Sequence, residues 1–88
     1  MTEPVPGNNE FGAAEEALRK AGSNLWFGGL SKEWQDFLIY NTVECFDNYE
    51  VNMLEAATWI LDIYKKMVSA DPGISQSNPW NTNMAMPK

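Results

Sequence analysis

The side chains available for chemistry in this chain are mainly carboxylates. The sequence has no histidine and one cysteine, so the commonest general base, thiolate metal sites and the Cys–His nucleophile pair are missing. Asp36, Glu44 and Asp47 could offer oxygen ligands to a hard cation, but Tyr49 and Val51 stand where a calcium loop needs further oxygen ligands. We therefore predict that the protein is not an enzyme and binds neither a metal nor a cofactor.

An acidic stripe on one predicted helix is the first candidate partner-binding surface. At 100° per residue, one side of that helix collects Glu33, Asp36, Tyr40, Glu44 and Asp47. The stripe spans about 21 Å, long enough to imitate several backbone phosphates and to occupy a basic nucleic-acid-binding surface of a partner. The alternative is a face that is simply solvated, because charged helix faces usually are and four carboxylates are few for a mimic.

Aromatic residues outside the regular helical patterns form the second candidate partner-binding surface. Trp26 and Phe27 lie in a glycine-flanked connection, where packing over the open end of the core is favoured over a partner contact because so short a chain has little core. Trp80 lies in a polar segment that offers it no core of its own. We predict that Trp80 anchors a partner, with folding back onto its own domain as the alternative.

Composition narrows the class of partner. Twelve acidic against six basic residues give a net charge of −6, and the stretch from Glu33 to Asp62 contains acids and no base. Direct binding of nucleic acid or of a membrane carrying anionic lipid is disfavoured, because both need clustered Lys or Arg. We expect a protein partner that presents a basic surface.

The single cysteine and the chain's N-terminal composition indicate a compartment. Cys45 has no cysteine partner and lies on an apolar helix side beside Phe46, which predicts a buried, inert thiol. No basic start with an apolar run resembles a secretory signal, and no run of about 18 apolar residues would cross a bilayer. We expect a reducing cytoplasm.

Helical periodicity predicts an all-α fold, a small bundle of about three helices at residues 9–70 with flexible tails at 1–8 and 71–88. A first helix is expected over residues 10–21, with Gly22 as its stop, and a second from the cap Ser31 to about residue 46. A third is expected from the cap Asn52 to about residue 68, with an alternative start at Asp47. Pro72 favours the end of helix there.

The predicted core consists of apolar residues that recur at helical spacing. Its members are Leu18, Trp34, Leu38, Phe46, Leu54, Ile60, Leu61 and Tyr64. Phe11 falls on the same stripe of the first predicted helix as Leu18, a thin stripe, so that helix is expected to be held by docking more than by its own burial.

Two functions fit these patterns. The first is a non-catalytic binding protein that inhibits, adapts or modulates a larger protein partner. The alternative is a structural subunit of a symmetric homo- or hetero-oligomeric assembly, such as a virion or scaffold component, using the broad apolar arc of the third predicted helix.

Overall fold

The computed structural model describes residues 7–81, and these form four α-helices followed by two short 3₁₀ turns. The helices are α1 (Gly7–Ala21), α2 (Asn24–Gly28), α3 (Lys32–Asn48) and α4 (Met53–Ala70), and the turns are Pro72–Gln76 and Pro79–Asn81. Helices α1, α3 and α4 pack against one another in all three pairs. No strand occurs within residues 7–81, so the predicted all-α bundle is confirmed.

The two long helices start at their predicted caps. The Ser31 hydroxyl accepts a hydrogen bond from the backbone N–H of Trp34 at 3.3 Å, and the Asn52 side chain accepts one from Glu55 at 2.7 Å. The alternative start at Asp47 is wrong, because that residue lies inside α3 and residues 49–52 connect the two helices without helical structure.

Helix α1 and the predicted lead-in differ from expectation. The helix begins at Gly7, three residues earlier than predicted, so it takes the last two residues of the stretch assigned to the lead-in. The remainder, residues 1–6, lies outside the described residues.

A short helix that the sequence pattern did not predict occupies the aromatic connection. Ser23 caps α2 by accepting a bond from the N–H of Trp26 at 2.9 Å. At the other end, the Gln35 side-chain amide donates to the carbonyls of Phe27 at 3.1 Å and Leu30 at 3.0 Å. These hydrogen bonds pair backbone N–H and carbonyl groups that so short a helix leaves without partners. The side chain of Phe27 is buried in the core.

Six of the eight predicted core residues are buried: Leu18, Trp34, Leu38, Ile60, Leu61 and Tyr64. Phe46 is half-buried. The prediction that Leu54 belongs to the core is wrong, because 47% of its surface is exposed. The apolar side chains of α1 near Leu54 are Ala13 and Ala17, which are too short to cover it and leave a shallow cavity of about 210 Å³.

Aromatic rings form a continuous chain from α2 through the core to the C-terminal segment. Neighbouring ring centroids lie 5.0–6.0 Å apart, and most pairs meet edge to face, the arrangement that ring quadrupoles favour. In order of contact the rings are Phe27, Trp26, Tyr64, Trp34, Phe37, Trp80 and Tyr40. The core is therefore coupled directly to the surface on which Trp80 lies.

Gly22 is where this packing tolerates no side chain. A Cβ atom built there would lie 2.6 Å from Cε3 of Trp26, whereas one built at Gly12, within α1, meets nothing within 4 Å. We predict that Gly22→Ala lowers the free energy of unfolding by about 1–3 kcal/mol, because the indole ring must move. Gly12→Ala should raise it by about 0.5–1 kcal/mol through helix propensity. Urea denaturation of both variants measures this, and a Gly22→Ala variant as stable as the parent would contradict it.

Candidate functional site

The chain beyond α4 folds back onto the bundle as a C-terminal strap, defined as residues 71–81. The buried indole N–H of Trp34 donates to the backbone carbonyl of Ser77 at 3.0 Å. Asp71 begins the strap by accepting a bond from the N–H of Gly73 at 3.3 Å, and the ring of Pro79 is fully buried. Part of the predicted tail is thus in contact with the bundle, while residues 82–88 lie outside the described residues.

The strap places Trp80 against α3. Its ring centroid lies 5.0 Å from that of Phe37, edge to face, and 5.7 Å from that of Tyr40. The side-chain oxygen of Asn78 accepts a hydrogen bond from the backbone N–H of Trp80 at 3.0 Å, which fixes the local turn. The premise that Trp80 has no local contacts is therefore wrong. With 48% of its surface exposed, its role as a contact for a partner stays a prediction.

Trp80 and α1 lie on either side of an open groove of about 340 Å³, which we call the aromatic groove. It is lined by Phe11, Gly12, Glu15, Asp36, Ile39, Tyr40 and Trp80. Phe11 and Tyr40 are 42% and 44% exposed. Three half-exposed aromatic side chains therefore share one mostly apolar depression.

Two carboxylates lie among these rings, and each is held by a base on its own helix. Asp36 accepts bonds from the ammonium of Lys32 at 2.8 and 3.0 Å, and Glu15 accepts from the guanidinium of Arg19 at 2.9 and 3.2 Å. Solvent-exposed ion pairs one helical turn apart contribute only about 0.3–0.5 kcal/mol. Asp36, whose pair with Lys32 is exposed, can therefore exchange that partner for a ligand at little cost. The Glu15 pair is partly buried, and its Arg19 partner also lies over the Phe27 ring.

A second pair of carboxylates, Glu10 of α1 and Asp47 near the C-terminal end of α3, lies close together. Partial desolvation raises the pKa of Glu10, and the nearby charge of Asp47 together with a hydrogen bond between the two side chains raises it further. The contact between α1 and α3 thus brings two carboxylates together outside the aromatic groove.

The structure separates the predicted site residues into three groups. Asp36, Tyr40 and Trp80 come together in the aromatic groove. The other stripe residues, Glu33, Glu44 and Asp47, do not line it, and Asp47 lies beside Glu10 of α1.

The residues of the predicted aromatic loop lie elsewhere. Trp26 is half-buried and lines a separate cavity of about 260 Å³ beside Tyr64. Phe27 is completely buried and Arg19 lies over its ring, so the suggestion that it contacts a partner is wrong and its packing in the core is the better interpretation. Cys45 is buried as predicted, and burial, followed by the charge of Glu55, raises the pKa of its thiol.

Phe11 and Glu15 are residues of the aromatic groove that the sequence reasoning missed. Phe11 shares a helical stripe with Leu18, yet it is 42% exposed and lines the groove. Glu15 is one of three glutamates on α1. Neither carries a sequence signal of its own, because the groove depends on how α1 crosses α3 and where the strap ends.

No protein-family model matches this chain, and comparisons with curated proteins and with solved structures find no significant match. Within residues 7–81, no group of three or more potential ligands is placed to hold a metal ion. None of the helices in that range is both long and apolar enough to cross a membrane.

The bond between Trp34 and Ser77 predicts how the strap is held. Trp34→Phe keeps an aromatic ring but removes the donor, leaving the Ser77 carbonyl unpaired and a void beside it. We expect a loss of about 2 kcal/mol in the free energy of unfolding and faster amide hydrogen exchange across residues 72–81. Trp59→Phe, where the ring packs edge-on against Tyr49, is the matched control. Equal strap exchange in the two variants would show that the indole bond does not hold the strap.

The raised pKa of Glu10 predicts a dependence of stability on pH. The folded protein holds this proton more tightly than the unfolded chain, so stability is lost as pH rises from the ordinary value of 4.5 through the raised pKa. Glu10→Gln should therefore be more stable than the parent at pH 7, with the difference vanishing at low pH. Thermal midpoints of both proteins between pH 3 and 8 measure this, and a variant less stable than the parent at pH 7 would refute it.

Proposed function

We propose that this chain is a non-catalytic cytoplasmic binding protein that modulates a larger protein by presenting its aromatic groove and acidic stripe to a basic surface of that protein. One observation carries the proposal: three half-exposed aromatic side chains and two carboxylates converge on one groove. The single cysteine, Cys45, which is free and buried, supports the cytoplasmic location.

The apolar part of the groove favours association over solvent exposure. Phe11, Tyr40 and Trp80 are three of the five large hydrophobic residues that stay substantially exposed in the described part of the chain. Aromatic side chains concentrated in one depression are typical of binding hot spots, where contact with a partner removes them from water. This supports a partner that covers α1, α3 and the strap at once.

The acidic stripe supplies the electrostatic side of the proposal. Glu33, Glu44 and Asp47 form no ion pair within the described residues. The last turn of α3 contains no base, and acids near a helix C-terminus interact unfavourably with the helix dipole. Glu33 lies in the first turn, where an acid does favour the helix. For Glu44 and Asp47, which do not help the helix, attraction of a basic partner is a better account than stability.

The assembly alternative loses its main support in the described residues. It rested on the broad apolar arc of the third predicted helix, which is α4, together with the tails. The centre of that arc, at Ala56, Ala57, Ile60, Leu61 and Tyr64, is buried within the chain's own bundle. A single molecule therefore covers most of the surface that was expected to bind copies.

Reversing charges on the stripe tests the proposal. Partners are captured from a lysate of the source cells on immobilised parent chain and then compared across two double variants. The stripe variant is Asp36→Lys with Glu44→Lys. The control is Glu16→Lys with Asp62→Lys, which makes the same change in net charge on exposed residues of α1 and α4.

We expect the stripe variant to bind the captured protein at least tenfold more weakly and the control to bind it like the parent. The parent complex should also weaken as added salt screens the attraction. Equal binding by the two double variants would contradict the proposal, and a defined homo-oligomer in light scattering would favour the assembly alternative.

A further inference from the structure

We infer that the aromatic groove is a receptor for one cationic side chain of the partner, an arginine guanidinium, so that Trp80 acts as a wall of the site and not as an anchor inserted into the partner. This inference rests on the proposed function and specifies the partner chemistry at the same site. The argument is one of charge and shape complementarity within the groove.

The side chain of Trp80 is 48% exposed, so part of its ring is open to a cation. Trp80 meets Phe37 at an interplanar angle of 90° and Tyr40 at 59°, so neither ring stacks face to face on it. A cation placed within about 6 Å of an aromatic centroid is attracted by the negative face of the ring, most strongly by tryptophan. Phe11 and Tyr40 add two more half-exposed rings to the same depression.

The carboxylates select a positive guest over a neutral one. Asp36 and Glu15 line the groove among the rings, and their present partners, Lys32 and Arg19, bind them from the flanking turns of their own helices. Lys32 is 76% exposed and its ion pair is weak, so an incoming guanidinium can share or replace it at Asp36.

The protein already contains one example of the proposed arrangement. The Arg19 guanidinium lies 4.9 Å from the centroid of the Phe27 ring while it donates two hydrogen bonds to Glu15. A planar guanidinium can stack on a ring and pair with a carboxylate at the same time, which a compact ammonium does less well. The aromatic groove offers the same two kinds of group, open to solvent.

The size of the groove fits a single side chain. At about 340 Å³ it lies near the lower end of the roughly 300–1,000 Å³ that ligand pockets occupy. A side chain with an apolar stem and a charged head matches a depression that is mostly apolar with two acids. The other occupants to be distinguished are a neutral side chain of the partner and no guest at all.

Small probes test the inference on the full chain. The probe is N-acetyl-arginine methylamide, and its control is N-acetyl-citrulline methylamide, which has nearly the same shape without the charge, at matched chloride. Binding is followed by nuclear magnetic resonance through the indole N–H of Trp80 and the backbone amides of Phe11 and Asp36. We expect saturable shifts at all three with the arginine probe and roughly tenfold weaker binding of citrulline.

Variants locate the binding. Trp80→Ala and Asp36→Asn should each weaken the arginine probe severalfold, whereas Leu54→Ala, at an exposed apolar residue of α4 outside the groove, should leave it unchanged. Equal binding of arginine and citrulline, or no saturable shift at the groove, overturns the inference. Capture of the partner by the parent chain in that case would leave the proposed function standing, so the two failures are distinguishable.

Discussion

The burial of Trp34 is the constraint on which the rest of this structure depends. Its indole is completely buried between α3 and α4, and a buried N–H left without an acceptor would cost about 1–3 kcal/mol. No acceptor for it comes from the neighbouring turns of α3. The carbonyl of Ser77, 43 residues further along the chain, accepts the bond instead. One polar atom of the core thereby determines where the chain goes after α4.

The surface proposed to bind a partner is a consequence of that bond. With Ser77 fixed, Pro79 enters the core and Trp80 lies across Phe37 and Tyr40. A polar segment with no helical pattern thus supplies one wall of the aromatic groove, and α1 supplies the other. Asp36 and Tyr40 of the acidic stripe line the groove, so part of the stripe and the apolar depression share one side of α3.

Local signals in the sequence predicted the long helices because each depends on a few neighbouring residues. Ser31 and Asn52 cap the N–H groups three residues ahead of them, and the apolar spacing of Trp34, Leu38 and Ile60 identifies the core. The site was less predictable, because it depends on contacts between residues far apart in sequence. Periodicity placed Phe11 only on a stripe with Leu18, and local polarity offered Trp80 no core, since neither signal encodes the hydrogen bond from α3 to the strap.

Hydrogen exchange of the tryptophan indole N–H groups tests the central claim most directly. The account predicts that the indole proton of Trp34 exchanges slowly, in step with global unfolding, because it is buried and bonded to Ser77. The indole proton of Trp80, on a half-exposed ring, should exchange quickly in the same sample. If the Trp34 proton instead exchanges as fast as that of Trp80 under native conditions, the bond does not hold the strap, and the aromatic groove is not a fixed feature of the protein.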